Sequence, residues 1–320
     1  MKKKRVGLVG VGKHAIGRIM PAIEKVDGVE LFAVLSRGGF KNAALADSIA
    51  VFEKTDDLID ADLDVVYLSS PTSLHYPQAR EFLRNGIEVW SEKPLATTPG
   101  QAEDLLQMAA ANRTPFLEAF MFAYHEQATI LSDLVRSQPI GRIRLIDIKF
   151  HFPHLDSTNF RYDDTLGGGA FLDHACYLTK MLQILFDTEW ELLGGRMTRD
   201  EGYKVDTSGV ALLESNKGFV ANLQWGFGFD YANEMRITGD QGQIFVDSPF
   251  TKPASRGCSI ELSTPDERRS IPIDLGDPYA DMISTFAAMN ESQKKAEMYR
   301  FESHSALFFD IQHKLMATLR

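Results

Sequence analysis

The chain has 320 residues, 44% hydrophobic and 24% charged, proportions of a globular protein long enough for two domains. Its 34 basic and 44 acidic residues give a net charge of −10, which argues against a broad nucleic-acid surface or an anionic membrane partner. Cys176 and Cys258 provide neither a disulfide framework nor a cysteine zinc site. The basic start Met1-Lys2-Lys3-Lys4-Arg5 precedes an apolar run broken at Gly7, Gly10 and Gly12, too short for a signal-peptide core. No stretch approaches the ~18 apolar residues of a spanning helix, so a cytoplasmic protein is expected.

The first predicted strand, Arg5 to Val9, runs into Gly10-Val11-Gly12-Lys13-His14-Ala15. Helical spacing follows from Ile16 to Val26 and a second strand from Val29 to Leu35, which completes a βαβ unit. In such a turn Gly10 permits the tight bend and Gly12 lets the backbone approach a pyrophosphate. Ala15 is small enough for the helix to pack on the strand. Lys13 and His14 share this loop and are candidate cofactor contacts. About 20 residues on, an NAD site usually carries an Asp or Glu for the ribose 2′-hydroxyl. This chain has Ser36-Arg37, a hydroxyl and a guanidinium suited to a 2′-phosphate, with no carboxylate to repel it. NADP(H) is therefore expected in preference to NAD(H).

Two further strand-and-loop units follow. Asp64 to Leu68 leads into Ser69-Ser70-Pro71-Thr72-Ser73-Leu74-His75 and a helix from Tyr76 to Asn85. Glu88 to Trp90 leads into Ser91-Glu92-Lys93-Pro94. Ligands of an open parallel sheet lie beyond the carboxyl ends of its strands, so Ser70, Pro71, Thr72, His75, Glu92 and Lys93 are expected at the cofactor. Pro94 holds Lys93 to extended backbone, and Thr98-Pro99 opens the next helix. Beyond about residue 120 the pattern turns to alternation, over Arg142 to Phe152, Gly209 to Leu213, Phe219 to Phe229 and Gln243 to Val246. Gly167-Gly168-Gly169 opens a helix from Ala170 to Phe186, and Tyr279 to Met289 and Glu302 to Leu319 are helical by spacing.

Asp173 and Tyr177 are four residues apart, which places them on one helix face a turn apart, with Lys180 near the same stripe. Hydride addition to a carbonyl creates an alkoxide that must receive a proton. A free tyrosine titrates near ~10, and an adjacent ammonium such as that of Lys93 would make transfer reversible near neutrality. Asp173 is suited to hold a substrate hydroxyl or to fix Lys93. His151, His154 and Asp156 have the chemistry of metal ligands. However, residues three apart on a strand face opposite sides, and no metal is expected.

In this order, Gly10-x-Gly12-x-x-Ala15, Ser70-Pro71-Thr72 with His75, Glu92-Lys93-Pro94, and Gly167-Gly168-Gly169 with Asp173 resemble the Gfo/Idh/MocA family of NAD(P)-dependent oxidoreductases. The resemblance covers essentially the whole chain. It implies an α/β protein with an N-terminal Rossmann dinucleotide-binding domain over 1–120. Residues 121–320 would then form a substrate-binding and oligomerisation α/β domain with a large, mostly antiparallel open sheet. The other face of that sheet commonly packs in a homodimer or homotetramer.

Many members have histidine as proton donor where this chain has Tyr177. The local spelling instead resembles the branch with dihydrodiol dehydrogenases, glucose–fructose oxidoreductases and keto-sugar reductases. Asn159-Phe160-Arg161-Tyr162 also resembles the keto-sugar reductases, so Asn159 and Arg161 join Lys93, Asp173 and Tyr177 as candidate substrate contacts. The chain departs from the family at Ala175, where glycine is common. It departs again over Phe120 to Glu126, where Ala123 and Glu126 stand at an arginine and a proline.

The implied activity is NADP(H)-dependent hydride transfer to or from a carbon of a sugar or keto-sugar, free or nucleotide-linked. The competing readings are a dehydrogenase of another cyclic diol or cyclitol, and a non-catalytic NADP-sensing regulator. Retention of both Lys93 and Tyr177 favours the enzyme.

Overall fold

The computed structural model describes residues 2–36, 49–252 and 257–319. The chain forms two compact units: Met1–Met121 with Asp277–Ser305, and Phe122–Gly276 with Ala306–Arg320.

The first unit is built on strands β1 Lys4–Val9, β2 Val29–Leu35, β3 Ala50–Phe52, β4 Val65–Leu68, β5 Glu88–Ser91 and β6 Phe116–Glu118. They form a six-stranded sheet in the order β3-β2-β1-β4-β5-β6, and every pair is parallel. Val6, Leu8, Val65, Val66, Leu68 and Val89 are wholly buried, as the near-continuous apolar strands of a sheet covered on both faces require. The strand order reverses between β1 and β4, which makes their carboxyl ends the switch point where such sheets bind ligands. The helix Pro99–Asn112 starts as its sequence predicts, with Pro99 in the first turn and the Thr98 hydroxyl accepting the Gln101 N–H at 3.3 Å.

The compact units divide the chain differently from the extents 1–120 and 121–320 expected from the sequence. Asp277–Ser305 returns to the first unit. Lys25 donates to Asp277 at 2.5 Å and Lys294 to the buried Glu88 carboxylate at 2.7 Å. Phe286 packs 5.5 Å from Trp90, and Phe301 edge-on 4.9 Å from Phe116. Helical spacing identifies a helix but not the sheet it covers, which is why the return was not legible.

The second unit carries β7 Ile143–Phe152, β8 Trp190–Thr198, β9 Ser208–Ser215, β10 Val220–Phe227, β11 Ala232–Gly239, β12 Gln243–Asp247, β13 Cys258–Ser263 and β14 Arg268–Ile273. Their order is β14-β13-β12-β11-β7-β10-β9-β8, with only β7 and β10 parallel among the described pairs. The mostly antiparallel open sheet implied by the resemblance is the one observed. Ile146, Ile148, Leu223, Trp225, Met235 and Ile237 line its buried face. On the opposite face Leu145, Val210 and Leu212 remain 36%, 40% and 39% exposed.

Candidate active site

In the first unit, the carboxyl ends of β1, β4 and β5 bring most of the expected cofactor residues together. Gly10 has φ +86°, and a Cβ there would lie 2.7 Å from the Ser70 nitrogen and 2.8 Å from the Ser69 carbonyl carbon. Only glycine admits both that backbone and that approach. Gly12, in contrast, has nothing within 4 Å of a built Cβ. Open space beside Gly12 and an entirely buried Ala15 fit a dinucleotide pyrophosphate on this loop. The Gly10 N–H donates to the Leu35 carbonyl at 3.3 Å, which sets Ser36 beside the turn. Arg37 lies outside the described residues, Lys13 is exposed, and Thr72 opens a short 3-10 turn before His75.

Glu92 is the centre of this cluster. Its Oε1 accepts from the Tyr67 hydroxyl at 2.7 Å and stands 3.0 Å from His14 Nε2. Burial pushes this carboxyl up, but His14, Tyr67 and the Lys93 ammonium outweigh it and hold it below the usual carboxylate range. Glu92 is thus an anion that gathers the glycine loop, β4 and Lys93. Tyr67 was not picked out from sequence; the one hydroxyl in the buried run Val65–Leu68 was the available signal.

His75, expected at the cofactor, joins two of the loops at this edge. Its Nδ1 lies 2.9 Å from the Pro94 carbonyl and its Nε2 2.8 Å from the Ser70 carbonyl. The ring therefore clasps the loop after β4 to the loop that carries Lys93. A neutral imidazole has one N–H and can donate to only one of them at a time. Burial pushes His75 towards that neutral form, and Lys93 adds to the effect against the pull of the two carbonyls and Glu92.

The second unit supplies the other candidates. The glycine run opens a π-helical turn, Phe171–Ala175, that continues as the α-helix Cys176–Leu185. Across a π-turn the step from Asp173 to Tyr177 falls just short of a full turn, where an α-helix would carry it just past one. Asp173 Oδ2 accepts from Arg161 Nε at 2.6 Å and lies 3.3 Å from His174 Nε2. The Asp173 charge pushes Arg161 above its ordinary value, against the opposing effect of burial. Arg161 and Asp173, separate candidates for substrate contact in the sequence, are a pair in the structure. Asn159 Oδ1 accepts the Arg161 N–H at 3.1 Å, so it caps the short turn that presents Arg161.

The Tyr177 ring is 7% exposed and packs against Phe122, Phe150 and Phe250 with centroids 5.7, 5.3 and 5.5 Å away. Lys180 is buried and donates to Gln183 at 2.9 Å. Glu126, at the family's proline position, accepts the Asp274 N–H at 2.7 Å. His151 Nδ1 lies 2.7 Å from the Asp230 carbonyl, and His154 stacks on Tyr203 at 5.3 Å. Among the described residues, no group of three or more His, Cys, Asp or Glu is arranged to hold a metal ion. No described helix is long and apolar enough to cross a membrane.

A parallel sheet with a glycine turn at its switch point, followed by a mostly antiparallel second sheet, is the architecture of a nicotinamide-dependent oxidoreductase. The chain belongs to the Gfo/Idh/MocA family: residues 4–120 match its oxidoreductase family NAD-binding Rossmann fold, and 130–245 its C-terminal domain. It is 31% identical over 274 residues to a dTDP-3,4-didehydro-2,6-dideoxy-alpha-D-glucose 3-reductase of Streptomyces violaceoruber, covering 84% of this chain and 80% of that one. A reductase of the same name from Saccharopolyspora spinosa is 32% identical, over 88% and 85% of the two chains. Among solved structures, a Tyr-to-Phe variant of KijD10, a 3-ketoreductase from Actinomadura kijaniata in complex with TDP-benzene and NADP, superposes with TM-score 0.89. That match has 26% identity over 100% of this chain and 98% of the other.

Proposed function

We propose that this protein uses NADPH to reduce a keto carbon of a dTDP-linked deoxysugar. The observation that carries the reading is the likeness along nearly the whole chain to dTDP-keto-sugar 3-reductases, joined to a tyrosine-bearing helix where the carbonyl chemistry calls for a proton donor. When bound, the nicotinamide supplies the hydride. Gly10, Gly12 and Ala15 form its pyrophosphate cradle, and Ser36 with Arg37 receives the 2′-phosphate. Tyr177 gives the proton that turns the nascent alkoxide into an alcohol, and Asp173 with Arg161 orients sugar hydroxyls. Lys93, steadied by Glu92, supplies the positive charge that alkoxide formation favours. The test is oxidation of NADPH, followed by absorbance, on addition of a dTDP-linked 3-keto sugar. A folded protein that binds NADPH yet leaves every such sugar unreduced would sink the reading.

Two narrower proposals follow. Arg37→Ala is expected to weaken NADPH binding at least ~10-fold more than NADH binding, the loss of a charge-assisted phosphate contact. Equal losses in a fluorescence titration would remove the 2′-phosphate role. We also propose that the exposed Leu145, Val210 and Leu212 face of the large sheet is covered by a second copy in a dimer or tetramer. Leu212→Arg should then shift the mass in analytical ultracentrifugation towards the monomer. A wild-type monomer at micromolar concentration would exclude it.

A further inference from the structure

Asp206 lies just before β9, about twenty residues beyond the end of the reactive helix in sequence, and neither motif nor spacing marks it. Its backbone carbonyl accepts the Ala170 N–H at 2.9 Å, and its Oδ2 accepts the Phe171 N–H at 2.7 Å. These are free donors at the start of the helix that carries Asp173 and Tyr177. Gly169 has φ +116°, and a Cβ on it would stand 2.4 Å from Asp206 Oδ1. A Cβ on Gly168 would stand 2.5 Å from the Arg161 carbonyl oxygen, and the Gly169 N–H donates to that same carbonyl at 2.9 Å. The glycine run therefore vacates the space into which the Asp206 carboxyl and the Arg161 backbone fit.

We propose that Asp206 is a positioning residue for the reaction: its carboxyl holds the first turn of the reactive helix, and turnover follows the state of that hold. The inference rests on the proposed reduction. The helix amides of Ala170 and Phe171 face the carboxyl, with Val205 beside Gly169 and the Trp225 indole on β10. Lys204, two residues back, acts on Asp163, and Asp173 is paired with Arg161. Among the described residues no cation pairs with Asp206. Burial accordingly pushes its carboxyl up, to about 7, against the pull of the amides. The ionised carboxylate accepts more strongly from an amide and complements the positive end of the helix. Turnover should therefore rise with pH through about 7.

The test compares Asp206→Ala and Asp206→Asn in NADPH-dependent reduction of a dTDP-linked 3-keto sugar. Loss of the hold in the alanine variant should lower kcat at least ~10-fold, since a misplacement of about 1 Å costs ~10²-fold. The Kd for NADPH should stay within ~2-fold, because the cradle is in the other unit. Asparagine keeps an acceptor oxygen and should recover most of the loss, while kcat no longer changes across neutral pH. An alanine variant with wild-type kcat overturns the proposal. If alanine does not fold, asparagine decides: loss of the pH-dependent limb supports the role, and a limb identical to wild type overturns it. Tyr177→Phe run alongside separates the two claims. Wild-type turnover that is lost in Tyr177→Phe but indifferent to Asp206 defeats this proposal alone; no wild-type turnover defeats both.

Discussion

Tyr177→Phe is expected to lower kcat for keto-sugar reduction at least ~10²-fold while the Kd for NADPH stays within ~2-fold. The substitution deletes one oxygen and leaves the ring. That ring packs against Phe122, Phe150 and Phe250, and phenylalanine keeps those contacts. What disappears is the proton that the alkoxide must receive. General acid help of this kind is worth ~10² to 10⁴ in rate, so a smaller effect would mean that water or another group delivers it. Single-turnover kinetics decide the matter, because product release cannot mask the chemical step there. A Tyr177→Phe enzyme that reduces the sugar at the wild-type single-turnover rate would remove Tyr177 from the mechanism and leave the fold and family untouched.

What was legible in the sequence was what is written contiguously. The glycine turn follows its strand directly, and the two later loops follow theirs, so the first sheet and its ligand edge could be read from order alone. The helix after Gly167-Gly168-Gly169 was legible for the same reason. The contacts that hold those pieces were not, because each joins distant residues. Tyr67 meets Glu92, His75 closes on Pro94, Arg161 pairs with Asp173, and Asp206 reaches Phe171. His75 shows the consequence: its position in a cofactor loop is visible in the sequence, but its clasp on two carbonyls depends on a loop nineteen residues further on. Strands β3, β6, β8, β11, β13 and β14 were missed: β3 and β6 are three residues long, β8 and β14 are edges that tolerate polar residues, and β11 and β13 alternate over spans of only eight and six residues. The π-turns, Ala15–Ile19 and Phe171–Ala175, also left no trace in the spacing. Both begin helices that follow the glycines of this chemistry, where such turns are common at functional sites.

Gly10 and Gly12 stand two residues apart in one loop, and alanine at each is expected to fail in opposite ways. Gly10→Ala forces a side chain into left-handed backbone, at about 1–2 kcal/mol, and drives a Cβ against Ser69 and Ser70 backbone atoms, at about 1–3 more. A sum of about 2–5 kcal/mol should lower the melting temperature of the ligand-free protein by roughly 5–15 °C. Because those atoms belong to the loop after β4, the switch point itself opens and NADPH binding falls with stability. Gly12→Ala meets nothing within 4 Å and has no positive φ to strain. The ligand-free protein should therefore melt within ~2 °C of wild type, or slightly higher through loss of unfolded-state freedom. Yet the added methyl enters the space kept for the pyrophosphate, and the Kd for NADPH should rise at least ~10-fold. Thermal melts with and without NADPH separate these effects in one experiment. If Gly12→Ala binds NADPH as wild type does, the space beside Gly12 is not the cradle, and the placement of the cofactor on this loop is wrong.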